Sequence, residues 1–229
     1  MKQGFVKVAS ATPRIRVADP VYNAQVICEQ AKEAAEHGAK IVVFPELCIT
    51  GYTCGDLFTQ DLLLENAKKG LQKIATHTGN KDGIFFIGMP LAVDGELYNV
   101  AAAVNHGHIL GFTTKTFLPN YGEFYEMRQF CAGPKEARMI SFDGKMIPFG
   151  PQILFVAEEM QSLVIAAEIC EDVWSTVPPS IQAAREGAAL IVNCSASDET
   201  IGGNIQKESD RGAVCKTFVR LYLCQCRRR

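Results

Sequence analysis

Apolar residues recur along this chain in two rhythms. Short unbroken runs bounded by turn-forming residues predict buried strands, and returns every three or four positions predict amphipathic helices. Residues 5–9 and 41–44 are runs of the first kind. Between them Val26, Ile27, Ala31, Ala34 and Ala35 share one helical face; Asp19-Pro20 supplies a cap with proline at the first helical position, and Gly38 supplies the stop. A second helix is predicted over 62–75, with Leu63, Ala67, Leu71 and Ile74 on one side, and a third strand over 84–87. Residues 97–104 and 108–113 read as a hairpin joined at Asn105-His106-Gly107. Further strands are predicted over 141–147 and 153–156, with turn signals at Asp143-Gly144 and Gly150-Pro151. Residues 162–167 form a strand leading to Cys170, a short helix over 180–186 stops at Gly187, and 189–192 is another strand. Alternating strands and helices at both ends, with hairpins between, predict an α/β fold with a mixed sheet or two packed sheets.

Composition narrows the function classes. With 229 residues, 48% hydrophobic and 21% charged, the chain fits one domain with a sizeable core. A net charge of −2 gives no electrostatic footprint for nucleic acid. No apolar run reaches membrane-spanning length, and Lys7 interrupts the start, so neither a membrane segment nor a signal peptide is expected. The nine cysteines are odd in number and scattered, and Cys28, Cys48, Cys170 and Cys194 sit in apolar runs. That pattern suits reduced thiols and a cytoplasmic location. No histidines stand at ligand spacing beside Cys48 and Cys54, and no metal is expected.

Three polar residues end strand-like runs. Glu46 follows IVVFP, Lys115 follows ILGFTT, and Cys170 follows VIAAEI. Taken singly, each has a plain reading as a cap, a solvated strand end or a small buried hydrophobe. A thiol at a strand-to-helix turn is also where a nucleophile is held on a rigid support. Its acidic neighbours Glu168, Glu171 and Asp172 oppose thiolate formation, so a reactive Cys170 needs a base and a cation from elsewhere in the chain. Glu46 and Lys115 are the residues that would supply them.

The stretches FPELCITGYTCGDLF (44–58), KTFLPNYGEFYE (115–126) and AAEICEDVW (166–174) resemble the three signatures of the nitrilase superfamily. Their flanking words, with NCSASDETIG (193–202), resemble the glutamine-hydrolysing domain of glutamine-dependent NAD synthetases. The resemblance implies a four-layer α-β-β-α sandwich over residues 1–202. Carried over by position, Glu46 is the general base, Lys115 the electrophilic stabiliser and Cys170 the nucleophile; Glu123 is the second glutamate, which helps position Lys115 and the substrate. Tyr121, Glu171 and Ser197 fall on the positions that contact glutamine. The implied reaction is hydrolysis of L-glutamine to glutamate and ammonia through a cysteine thioester, with Lys115 and the Glu171 backbone N–H as oxyanion donors. It also implies no cofactor for this domain, a homo-oligomer, and an ammonia-using synthetase domain to which ATP and Mg belong. A stand-alone amidase on another small amide and a catalytically silent fragment are the alternative readings.

After Gly202 the chain departs from that pattern, so residues 203–229 are expected to be an aberrant, poorly ordered tail, and no pyrophosphatase loop of the synthetase type is present. Codons chosen for 209–229 and read one nucleotide later can encode a stretch that resembles the family's next segment, which points to a change of reading frame. Sequencing the source gene checks this: an uninterrupted frame ending in the given tail would refute it.

Overall fold

The computed structural model describes residues 5–197 and the backbone of the strand Val219–Leu223. In the first sheet, β1 (Val8–Ser10), β2 (Ile41–Val43) and β3 (Ile84–Val93) run parallel. β4 (Glu96–Asn105) and β5 (His108–Thr114) continue it antiparallel. β6 (Arg138–Phe142) and β7 (Lys145–Gly150) form a closing hairpin, giving the order β1-β2-β3-β4-β5-β7-β6. The second sheet is ordered β11-β10-β9-β8, from β8 (Leu154–Ala157), β9 (Met160–Ile169), β10 (Leu190–Cys194) and β11 (Val219–Leu223). β9 and β10 are parallel, and the outer pairs are antiparallel.

Successive strand residues face opposite sides, so the central strands serve two cores. Val42, Phe85, Ile87, Ala102 and Val104 face α1 (Pro20–Glu36) and α2 (Asp61–Thr78), meeting Ile27, Ala31, Leu71 and Ile74. Their neighbours Ile41, Val43, Ile84, Phe86, Ala101 and Ala103 face the second sheet at Ile165, Ala167, Leu190 and Val192. The far side of that sheet, Ala166 and Ile191, packs on Ala183 of α4 (Pro179–Arg185). These contacts make the four layers α-β-β-α. Burial on both faces is why the strands read as continuous apolar runs. No helix among the described residues is long and apolar enough to cross a membrane.

The helix boundaries follow the local signals. Asp19 caps α1 by accepting the Tyr22 N–H at 3.0 Å, and Gly38 takes a φ of +81° just beyond its end. Two strand expectations change. The strand expected over 141–147 is a hairpin, because Asp143 and Gly144 adopt φ of +54° and +73° and reverse the chain within it. The strand expected over 84–87 continues to Val93 through Gly88 and Pro90. β2 pairs β3 only as far as Phe86, so Pro90 lies where β3 has a ladder partner on one side alone. The boundary expected after residue 202 lies outside the described residues. Within the remaining tail, the backbone of Val219–Leu223 pairs antiparallel with β10.

Past Phe86, β3 receives the loop that follows β2. The Phe44 N–H donates to Phe86 O at 2.9 Å and the Ile49 N–H to Gly88 O at 3.3 Å. A Cβ on Gly88 would stand 2.2 Å from Pro45 O and 2.6 Å from the Glu46 Cα. All are backbone atoms, so the loop carrying Glu46 must move to admit it. Gly88→Ala is therefore expected to cost about 3 kcal/mol or more in urea unfolding. An unchanged unfolding midpoint would contradict this close approach.

Candidate active site

Glu46, Lys115 and Cys170 stand on three different chain segments, each placed by backbone geometry. Glu46 lies in the turn over Gly88, where Leu47 has φ +51° and the Gly51 N–H closes the turn onto Leu47 O at 2.7 Å. Lys115 follows β5; its N–H donates to Asn99 O on β4 at 2.9 Å, and its carbonyl accepts the Gly133 N–H at 2.8 Å. Cys170 ends β9 with φ +43°, a left-handed conformation that turns the strand sharply into the 3-10 turn Cys170–Trp174. The Cys170 N–H donates to Asn193 Oδ1 at 3.1 Å, and Asn193 Nδ2 reaches Glu168 Oε1 at 3.3 Å. The partner strand β10 thus holds the backbone of the turn in its strained form.

Lys115 is 1% exposed and lies between two carboxylates: Nζ donates to Glu46 Oε1 and to Glu126 Oε1, each at 2.6 Å. Burial opposes its charge, but the attraction of Glu46 and Glu126 outweighs it, and its pKa lies above the ordinary lysine value. Glu46 accepts further bonds from Asn99 Nδ2 at 2.7 Å and, through Oε2, from the Ala196 N–H at 3.1 Å. Glu126 also accepts from Tyr52 Oη at 2.7 Å. Desolvation, then repulsion by Glu46, pushes Glu126 up to about 7 against the pull of Lys115. Burial, then the charge of Glu46, pushes the Cys170 thiol up to about 12, opposed by Lys115, the Ser195 hydroxyl and the Ala196 N–H. At neutral pH the sulfur therefore rests protonated, and attack requires a base.

The structure brings the other expected residues together in part. Tyr121 Oη donates to Glu171 Oε2 at 2.9 Å, and both line a cleft of about 610 Å³ together with Phe117, Met127, Phe130 and Ser175. Ser197 Oγ is 4.0 Å from Cys170 Sγ and 2.8 Å from Ser195 Oγ. Glu123 is exposed on the loop before α3 (Glu126–Gln129), whereas Lys115 has its second ion pair with Glu126. The lysine-positioning glutamate expected at 123 is thus displaced to 126, because the Gly122 turn and the start of α3 carry residue 126 inward. Among the described residues, no group of three or more His, Cys, Asp or Glu side chains is disposed to hold a metal ion.

Residues 7–210 match the carbon-nitrogen hydrolase family. The chain belongs to that family. It is 40% identical over 200 residues to the glutamine-dependent NAD(+) synthetase of Mycobacterium leprae, covering 87% of this chain and 29% of that protein. To the enzyme of the same name from Aquifex aeolicus it is 35% identical over 193 residues, covering 84% of this chain and 30% of that protein. The crystal structure of a glutamine-dependent NAD(+) synthetase from Cytophaga hutchinsonii superposes with a TM-score of 0.76 at 32% identity, covering 86% of this chain and 32% of that one. An amidase from Nesterenkonia sp. superposes with a TM-score of 0.63 at 25% identity, covering 87% of this chain and 69% of that one. The chain spans about 30% of the length of the synthetases it matches.

In this carbon-nitrogen hydrolase domain, sequence reasoning missed Tyr52, Asn99, Glu126 and Asn193 as members of the site. Asn99 lies inside the unbroken buried run of β4 and gives no local signal. Glu126 sits three residues from the glutamate chosen by spacing, and only its burial separates the two.

The raised carboxyl of Glu126 has a thermodynamic consequence. The folded state holds its proton more tightly than the unfolded chain, whose carboxyl titrates near 4.5. Its stabilising contribution is therefore full below that value and is lost as pH rises through the folded value near 7. Glu126→Gln is expected to remove about 2–3 kcal/mol of stability change between those limits. Asp172, also raised to about 7 by burial, retains a slope of the same sign in the variant. Urea midpoints of both proteins across this window measure the difference, and parallel profiles would rule out a raised Glu126.

Proposed function

We propose that this domain hydrolyses the side-chain amide of L-glutamine to glutamate and ammonia through a thioester on Cys170. The observation that carries the reading is the buried Lys115 ammonium between Glu46 and Glu126, electrostatically coupled to a cysteine thiol on a left-handed strand end. A side-chain amide is a poor electrophile, and a covalent intermediate divides its hydrolysis into two easier steps.

In the first step Glu46 takes the thiol proton as sulfur bonds to the amide carbon. An ammonium has three donors. Two of those of Lys115 go to Glu46 and Glu126, and the third serves the oxyanion. The Cys170 N–H is committed to Asn193, so the next backbone N–H, that of Glu171, is the second oxyanion donor. Each such donor is worth about 100- to 1000-fold in rate. The tetrahedral species collapses with breakage of the C–N bond, and Glu46 protonates the leaving nitrogen. Water then adds to the thioester with Glu46 as base, releasing glutamate and restoring the thiol. The chemistry uses no cofactor. Tyr121, Glu171 and Ser197 are the proposed glutamine contacts, in keeping with the Tyr121–Glu171 hydrogen bond at the cleft and Ser197 beside the sulfur.

The synthetases that the chain resembles are about three times its length. We assign the ammonia to such an ATP-dependent synthetase domain, which would use it to form NAD. A homo-oligomeric state and a cytoplasmic setting belong to the same reading.

Ammonia release from glutamine, followed beside Cys170→Ala, tests the proposal. The wild-type chain is expected to release ammonia and to show a glutamyl adduct on the Cys170 peptide after rapid acid quenching. The variant is expected to lose release by at least about 1000-fold. Release that persists in the variant, or its absence from the folded wild-type chain, refutes the reading.

A further inference from the structure

Asp172, two residues beyond the nucleophile, is 1% exposed and lies outside the catalytic steps described above. Its carboxylate spans two chain segments. Oδ1 accepts the N–H groups of Thr116 at 3.0 Å and Phe117 at 2.8 Å, the two residues that follow Lys115. Oδ2 accepts the N–H of Ile169 at 3.0 Å, the residue that precedes Cys170. One segment leaves the first sheet and the other leaves the second, and among the described residues no strand pairing joins the two sheets. A single carboxylate therefore ties the lysine end of one sheet to the cysteine end of the other.

We propose that Asp172 is a positioning residue that sets the separation of Lys115 and Cys170 by bridging their backbones across the two sheets. The proposal rests on the assignment of Cys170 as nucleophile and Lys115 as its cationic partner. Once ionised, above its folded value near 7, the side chain suits the role because both of its oxygens accept and neither must donate. An amide in its place does not: it keeps one oxygen for Thr116 and Phe117 but turns an N–H₂ toward the Ile169 N–H. Asp172→Asn accordingly severs the cysteine arm and keeps the lysine arm. Displacement of reacting groups by about 1 Å costs up to about 100-fold in rate.

The test compares wild type, Asp172→Asn and Leu71→Ala, the last a core truncation in α2 remote from the site. Two quantities are read: steady-state glutamine hydrolysis, and the pH profile of Cys170 alkylation by iodoacetamide, followed on its own peptide by mass spectrometry. The titratable groups that bear on Cys170 are Glu46, Lys115, Tyr52 and Tyr121. Opening the bridge carries the Lys115 cation away from the sulfur, so the alkylation midpoint of Asp172→Asn is expected to move up. Its kcat is expected to fall by about 30-fold with KM changed less than about twofold. Leu71→Ala is expected to lower the melting temperature and leave both readouts in place.

Unchanged kcat and midpoint in folded Asp172→Asn would overturn the proposal. So would a midpoint that moves down, the sign expected if Asp172 acted only as a nearby negative charge. If the wild-type chain releases no ammonia, the glutamine reading fails while the alkylation profiles still decide the bridge. If Asp172→Asn does not fold, amide exchange in the wild-type protein decides: Thr116 and Phe117 protected as strongly as β5 support the bridge, and rapid exchange there overturns it.

Discussion

A single ammonium buried between two carboxylates sets the terms for the rest of this molecule. Removing three ionisable groups from water is costly, and their mutual attraction offsets the cost only with close geometry and further hydrogen bonds. Lys115 meets both carboxylates at 2.6 Å, and the side chains of Asn99 and Tyr52 take up further carboxylate valence. Such an arrangement tolerates little displacement, so the backbone around it is over-determined. Gly88 lets the Glu46 turn lie directly on β3, and Gly133 lets its strand-end loop lie against Thr114.

β4 acts as the ruler of the site. Asn99 holds the Lys115 backbone through its carbonyl and the Glu46 carboxylate through its side chain, fixing base and cation from one position in the centre of a sheet. The nucleophile arrives from the other sheet, where Asn193 on β10 holds the left-handed Cys170. The two sheets meet through a mixed core of Ala101, Ala103, Ala167 and Val192 with the larger Phe86, Phe155 and Leu190. The inter-sheet core is thus also what brings sulfur toward cation.

In the proposed reaction, the resting electrostatics require base and nucleophile to act together. A cysteine beside a helix N-terminus or a lone cation is often a standing thiolate. Here burial and the Glu46 charge hold Cys170 as a thiol despite Lys115. Reactivity then depends on proton transfer during attack, which confines it to a molecule seated against all three groups.

The α/β class, both long helices, most strands and the three catalytic candidates were legible in the sequence, because each rests on a local signal. Apolar runs mark strands buried on both faces, Asp19-Pro20 and Gly38 mark helix ends, and Glu46, Lys115 and Cys170 each end an apolar run. The extension of β3 through Gly88 and Pro90 was hidden, since both residues argue against a strand unless one edge is known to be open. The hairpin within 141–147 turns at Asp143-Gly144, a turn signal legible in the sequence, although the strand was read through it. Choosing Glu126 over Glu123 required knowing which carboxylate faces inward, a matter of where the chain turns after Tyr121. By itself the sequence singled out Glu46, Lys115 and Cys170 as candidates, because residue type and strand-end position are local properties. Only the tertiary structure decided which carboxylates neutralise Lys115 and what binds its strand end to that of Cys170, because those contacts join segments 11 to 69 residues apart whose meeting depends on two sheets packing face to face.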